Sequence, residues 1–139
     1  MRTQSILLTV VAAVLLSGAN VALAHHSFAM FDSKTQLVLE GTVVRWSFNN
    51  PHSWLYVNVR NQDGTDTLWS FEGGGPTGLI QRGVTGDSIK PGNKVRFVYC
   101  PLRDGRPGGA VAWAQPEGSK VLNLADGGCL DNDESLKKL

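Results

Sequence analysis

LVLEGTVVRWSF, residues 37–48, is the stretch of sequence that decides the fold. β-Branched and aromatic side chains fill this stretch, which is typical of a strand, and Gly41 interrupts it. A single glycine inside a strand pattern often marks a bulge or a sharp bend of the sheet. The stretch therefore predicts a long first strand that bends near Gly41.

The segments after this stretch predict a meander of short strands with one helix. Residues 52–60 alternate, with Trp54 and Tyr56 on one side and Leu55 and Val57 on the other, which is the period of a half-buried strand. The remaining predicted elements are strand 67–72, helix 77–82 and strands 94–100, 110–115 and 120–124. This order predicts an all-β protein, a small five- to six-stranded OB-like barrel with one short helix between strands 3 and 4. A β-sandwich is the alternative, but it usually has about seven strands.

The first 24 residues resemble a secretory signal peptide. Arg2 gives a positive start, residues 6–16 form an apolar core, and Ala22-Leu23-Ala24 is a small-x-small cleavage site. The apolar core is shorter than the roughly 20 residues that a membrane span requires, so cleavage is favoured over anchoring. We therefore expect a periplasmic protein with no membrane span after signal cleavage. Residues 25–126 would form the barrel, and residues 127–139 a polar tail that we expect to be mobile.

Charge argues against nucleic acid as a partner. The whole chain has a formal net charge of +1, and its longest basic run is Lys137-Lys138. Binding to a phosphate backbone needs a concentrated basic face. We therefore expect a small ligand or a periplasmic protein as the partner.

The predicted start of the mature protein indicates a metal site. Cleavage after Ala24 would give His25 a free α-amine beside its own imidazole, followed directly by His26. His52 is the third histidine, Glu72 is a possible accessory carboxylate, and imidazole and amine nitrogens suit copper and other divalent ions. The alternative is that these histidines are ordinary solvated residues. Familiar catalytic motifs are missing from the sequence, which favours a non-enzymatic module over an oxidative copper enzyme.

Aromatic residues offer a second candidate site. Trp54, Tyr56 and Trp69 could form a ligand surface on the barrel, where they would stack on rings or bind a partner protein without any metal. Packing in the core is the alternative for most of them.

The two cysteines, Cys100 and Cys129, both belong to the predicted mature protein. In an oxidising compartment an even pair favours a disulfide, which would hold the tail against the body of the domain. Two unpaired thiols are the alternative.

Several short motifs resemble one family of exported bacterial proteins, domain of unknown function 6152. They are AHHSFAMFD (24–32), EGTV (40–43), NPHSW (50–54), WSFE (69–72), residues 79–83 and 90–95, and PLRDG (101–105). The resemblance implies a small periplasmic β-barrel domain without an assigned activity. Cys100 and the tail depart from the family pattern, so the disulfide is a prediction for this chain and not for the family.

Overall fold

The computed structural model describes residues 28–139 of the chain. Phe28–Met30 forms one turn of 3-10 helix in a first unit, and residues 31–139 form a second unit, which carries the sheet. The predicted signal peptide, His25 and His26 lie outside the described residues. Among the described residues, every strand and every α-helix belongs to the second unit.

Six strands and two short helices make up this unit. In chain order they are β1 (Leu37–Ser47), β2 (Ser53–Arg60), β3 (Asp66–Gly73), α1 (Pro76–Gln81), β4 (Lys94–Pro101), β5 (Gly108–Pro116), β6 (Leu122–Asn123) and α2 (Asp133–Leu136). Within residues 28–139 no helix has both the length and the apolar character needed to cross a membrane.

The strands close into a barrel. The sheet order is β3-β2-β1-β4-β5-β6, and a parallel pairing of β3 with β5 joins the two sides. Five strands therefore form a closed barrel, and β6 is an extra strand beside β5. The predicted all-β, OB-like fold with a helix between strands 3 and 4 is confirmed.

Gly41 lies where β1 and β2 approach closely. A Cβ atom on Gly41 would collide with the Val57 side chain and with the Asn58 carbonyl oxygen. The register of β1 against β2 also shifts between Val43 and Arg45, which is a β-bulge. The long first strand thus bends by two means, one glycine and one bulge, and both help to close the barrel.

Alternation along the strands separates two apolar clusters. Inward side chains such as Leu55, Phe71 and Phe97 form the main core, in which the rings of Phe71 and Phe97 lie 4.5 Å apart. A second cluster lies on the other side of β4 and β5, because alternate residues of a strand point to opposite faces. Its buried members are Phe31, Cys100, Ala110, Ala112, Ala125 and Cys129.

Cys100 and Cys129 form a disulfide, as predicted, and it lies in the second cluster. The C-terminal tail, for which the sequence predicts mobility, includes α2 and packs on β5. Ser135 of α2 is fully buried, and its hydroxyl accepts a hydrogen bond of 2.8 Å from Trp113 Nε1. The disulfide and this hydrogen bond link the tail to the barrel.

Candidate functional site

His52, Glu72 and Asp126 come together beside the β2–β3 pair. His52 directly precedes β2, Glu72 lies near the end of β3, and Asp126 follows β6. His52 Nδ1 is 3.2 Å from Glu72 Oε1 and 3.0 Å from Asp126 Oδ2. One ligand atom from each residue lies within 4.8 Å of the other two. Three separate segments of the chain therefore converge on one small polar group, which we call the His–Glu–Asp cluster.

The glycines after Glu72 allow the chain to pack closely around His52. The Ser53 amide donates to the Gly74 carbonyl at 3.1 Å, which holds the start of β2 against the end of β3. A Cβ atom on Gly75 would lie 2.6 Å from the Pro51 carbonyl oxygen, so a larger residue would push His52 and its turn away. These glycines accommodate neighbouring parts of the same chain.

Asp126 is positioned from both sides along the chain. On the amino-terminal side, the Gly74 amide donates to the Leu124 carbonyl at 2.8 Å, and Arg82 donates to the Ala125 carbonyl at 2.9 Å. On the carboxyl-terminal side, the Gly128 amide donates to Asp126 Oδ1 at 3.1 Å, next to the disulfide at Cys129. Oδ1 of Asp126 thus accepts a hydrogen bond from its own loop, while Oδ2 faces His52.

The cluster is closed to solvent on the carboxylate side. The side chains of Glu72 and Asp126 are 7% and 8% exposed, whereas that of His52 is 32% exposed. Burial raises the pKa of Glu72; the nearby His52 opposes this rise and Asp126 adds to it. Two carboxylates that face the same imidazole nitrogen could hold a cation between them.

The raised pKa of Glu72 predicts how the metal-free protein depends on pH. In the folded state Glu72 holds its proton more tightly than in the unfolded state, so ionised Glu72 costs stability as pH rises above its unfolded pKa. We expect Glu72→Gln, which cannot ionise, to raise the melting temperature of the metal-free protein by a few degrees at neutral pH. Well below the unfolded pKa this gain should vanish.

Thermal unfolding of both proteins across an acid-to-neutral pH series, with a chelator present, measures this difference. Glu40→Gln is a suitable control because the Glu40 side chain is 68% exposed and pairs with Arg96 on the barrel surface. A melting temperature for Glu72→Gln that falls below the wild-type value at neutral pH would contradict the prediction.

Of the residues selected from sequence, His52 and Glu72 lie together, and Asp126 was missed. Trp54 and Tyr56 also lie together, with ring centroids 6.5 Å apart and Arg45 over the Tyr56 ring. Trp69 does not join them, because it packs against the main core. The sequence did contain one signal for Asp126, its position three residues before Cys129. Because Cys129 is bonded to Cys100 of β4, residues close to it in sequence lie against the barrel.

The fold and the cluster define a small OB-like barrel with a His–Glu–Asp group beside its β2–β3 pair. Residues 12–114 match the model of a family of unknown function, DUF6152, and the chain belongs to that family. His52, Glu72 and Cys100 lie within the matched residues, whereas Asp126 and Cys129 follow them. Neither a curated protein nor a solved structure matches the chain.

Proposed function

We propose that this protein is an exported, periplasmic module that binds one divalent metal ion through His52, Glu72 and Asp126. The observation that supports the proposal is the convergence of one nitrogen and two oxygen ligand atoms within 4.8 Å of one another. Burial of both carboxylates adds to it, because a bound cation would neutralise charges that otherwise cost folding energy. The exported location rests on the predicted signal peptide and is consistent with the disulfide.

The donor set guides the choice of metal. One imidazole and two carboxylates suit divalent transition metals, and Cu(II) binds such nitrogen and oxygen sites most tightly in the first-row series. Both cysteines are in the disulfide, so no thiolate is available to select Cu(I). Copper is therefore the metal that we propose, with Zn(II) as the comparison. Three protein ligands leave room for others, and we propose that His25 and His26 of the mature amino terminus supply them.

Isothermal titration of the metal-free protein with Cu(II) and Zn(II) tests the proposal. We expect one ion per chain, and affinity at least about tenfold lower in His52→Ala, which removes a ligand, and in Glu72→Gln and Asp126→Asn, which replace a charged carboxylate by a neutral amide. Glu40→Gln removes an exposed acid and should bind like the wild type. Equal affinities in all five proteins would overturn the proposal.

The amino terminus is tested separately. Protein that begins at His25 is compared with protein that carries three additional alanines before it, since the extension displaces the α-amine from the His25 chelate. Weaker Cu(II) binding by the extended protein would support a role for His25. Equal binding would restrict the site to His52, Glu72 and Asp126.

A second candidate function is ligand binding on the outer side of β2. The rings of Trp54 and Tyr56 stack on the partly exposed side of this strand, and Trp54 lies directly opposite Glu72 on β3. Aromatic rings that are not needed in the core are available to stack on a ligand.

This second candidate predicts a small effect of Trp54 on stability. We expect Trp54→Ala to lower the free energy of unfolding by no more than about 2 kcal/mol, because the side chain is only partly buried. Urea unfolding measures the loss, and Trp54→Phe, which keeps a ring, should lose less. A loss of about 4 kcal/mol, typical of a core aromatic residue, would remove Trp54 from the candidate surface.

A further inference from the structure

Asp126 is the ligand of the proposed metal site whose position depends most on contacts distant in sequence. On its amino-terminal side, Leu124 is held by two backbone hydrogen bonds, from its amide to the Ala112 carbonyl at 2.9 Å and from the Gly74 amide to its carbonyl at 2.8 Å. On its carboxyl-terminal side, the next fixed point is the bond between Cys129 and Cys100 of β4. Asp126 thus lies between a hydrogen-bonded anchor and a covalent one.

On the carboxyl-terminal side the disulfide is a buried anchor close to Asp126. Beyond Cys129 the chain is held by exposed hydrogen bonds, from Gln36 Nε2 to the Leu130 carbonyl at 2.8 Å and from Asn123 Nδ2 to Asp131 Oδ2 at 2.7 Å. Gly127 has a φ of +101° and is exposed, and Gly128 brings no side chain to pack. The buried members of the second apolar cluster are the two cysteines, three alanines and one phenylalanine, and Leu102 and Trp113 pack against it while only partly buried. Alanine side chains bury little apolar surface, so this cluster contributes far less than a core of leucine and phenylalanine would.

Glu72 is positioned separately, by the strands of the barrel. It pairs with Trp54 across the β2–β3 ladder and with Ala110 across the parallel β3–β5 ladder. Loosening residues 126–129 would therefore act on the site through Asp126.

We propose that oxidation of Cys100 and Cys129 assembles the metal site, so that the chain acquires metal only after the disulfide has formed. This inference rests on the proposed metal-binding function. Oxidation occurs by thiol–disulfide exchange, in which the disulfide of an oxidoreductase accepts two electrons and two protons from the two thiols and becomes a dithiol. A chain still in a reducing compartment then lacks a complete site, and metal loading follows export and oxidation.

A double-mutant cycle with Cu(II) affinity as its readout tests the inference. The four full-length proteins are the oxidised wild type, Cys100→Ser/Cys129→Ser, Asp126→Asn and the combination of all three substitutions. Serine avoids the free thiols of a reduced protein, which would bind copper themselves. We expect loss of the disulfide to weaken binding about 10–100-fold in the wild-type background and to have almost no effect in the Asp126→Asn background.

The outcomes separate this inference from the proposed function. If the oxidised wild type binds no metal, the proposed function fails and this inference fails with it. If the wild type and the serine variant bind equally, the metal site stands and the role of the disulfide is overturned. The loss of Cu(II) affinity caused by the serine pair and the loss caused by Asp126→Asn could also add in the combined variant. In that case the disulfide acts by general stabilisation and not through Asp126, which also overturns the inference.

Two further variants keep the test decisive. If the serine pair does not fold, Cys100→Ala/Cys129→Val replaces it, because apolar side chains preserve burial at these positions. Trp113→Phe removes the hydrogen bond to Ser135 and loosens α2 but leaves the disulfide intact. Its copper affinity should remain within about twofold of the wild type, and a 10–100-fold loss there would show that α2 and not the disulfide positions the ligand.

Discussion

Cu(II) or Zn(II) at about 100 times its dissociation constant is expected to stabilise the folded protein by about 2.7 kcal/mol. The reason is linkage: an ion that binds only the folded state lowers its free energy, and His52, Glu72 and Asp126 converge only when the barrel is closed. For a domain of this length, that free energy corresponds to a rise of about 10 °C in the melting temperature. Differential scanning calorimetry with and without metal measures the rise.

The matched controls make this result specific to the site. His52→Ala should show at most about half of this shift at the same metal concentration, because a tenfold lower affinity leaves about 1.4 kcal/mol of the stabilisation. Glu40→Gln should keep the whole shift, since Glu40 pairs with Arg96 on the exposed surface. A shift of the same size in His52→Ala would mean that metal binds elsewhere, and no shift in the wild type would contradict the prediction.

The fold could be predicted because its signals are local in sequence. Alternation over residues 52–60 marks the two faces of β2, and the structure buries Leu55 and Val57 while leaving Trp54 and Tyr56 partly exposed. Gly41 marked the bend of β1, where β2 leaves no space for a side chain. The parallel pairing of β3 with β5 is not local and was not itself predicted; strand number and the position of α1 indicated only the OB-like class of barrel.

The candidate site could be predicted only in part because its third member is distant in sequence. His52 and Glu72 stood out for their chemistry and for the turn signals beside them, and pairing of β2 with β3 brings them together. Asp126 reaches them only after β6 has added to β5 and Cys129 has bonded to Cys100. The sequence pattern around Asp126 indicates neither of these two contacts. Asp126 therefore could not be distinguished from the other acidic residues of the polar tail. Trp69 stands apart from Trp54 and Tyr56 because its side of β3 faces the main core.

Removal of the disulfide by Cys100→Ser/Cys129→Ser is expected to lower the free energy of unfolding by about 3.5 kcal/mol. The chain-entropy model gives this value for a closed loop of this size, because the bond removes freedom from the unfolded chain. The two cysteines are 29 residues apart, so the loop spans β5, β6 and the Asp126 segment. The loss should appear in the metal-free protein, where no ligand contributes. Urea unfolding of the oxidised wild type and the variant, both with a chelator, measures it.

The second cluster explains why the chain should not recover this loss by packing. Besides the cysteines its buried members are three alanines and Phe31, and Leu102 and Trp113 pack against it while only partly buried. The segment around Cys129 therefore buries little apolar surface. Cys100→Ala/Cys129→Val restores apolar burial without the covalent bond, and we expect it to recover less than about half of the loss. Full recovery by this pair would contradict the prediction, because burial at the two positions and not closure of the loop would then be the source of the stability. A difference of less than about 1 kcal/mol between the wild type and the serine variant would contradict it as well.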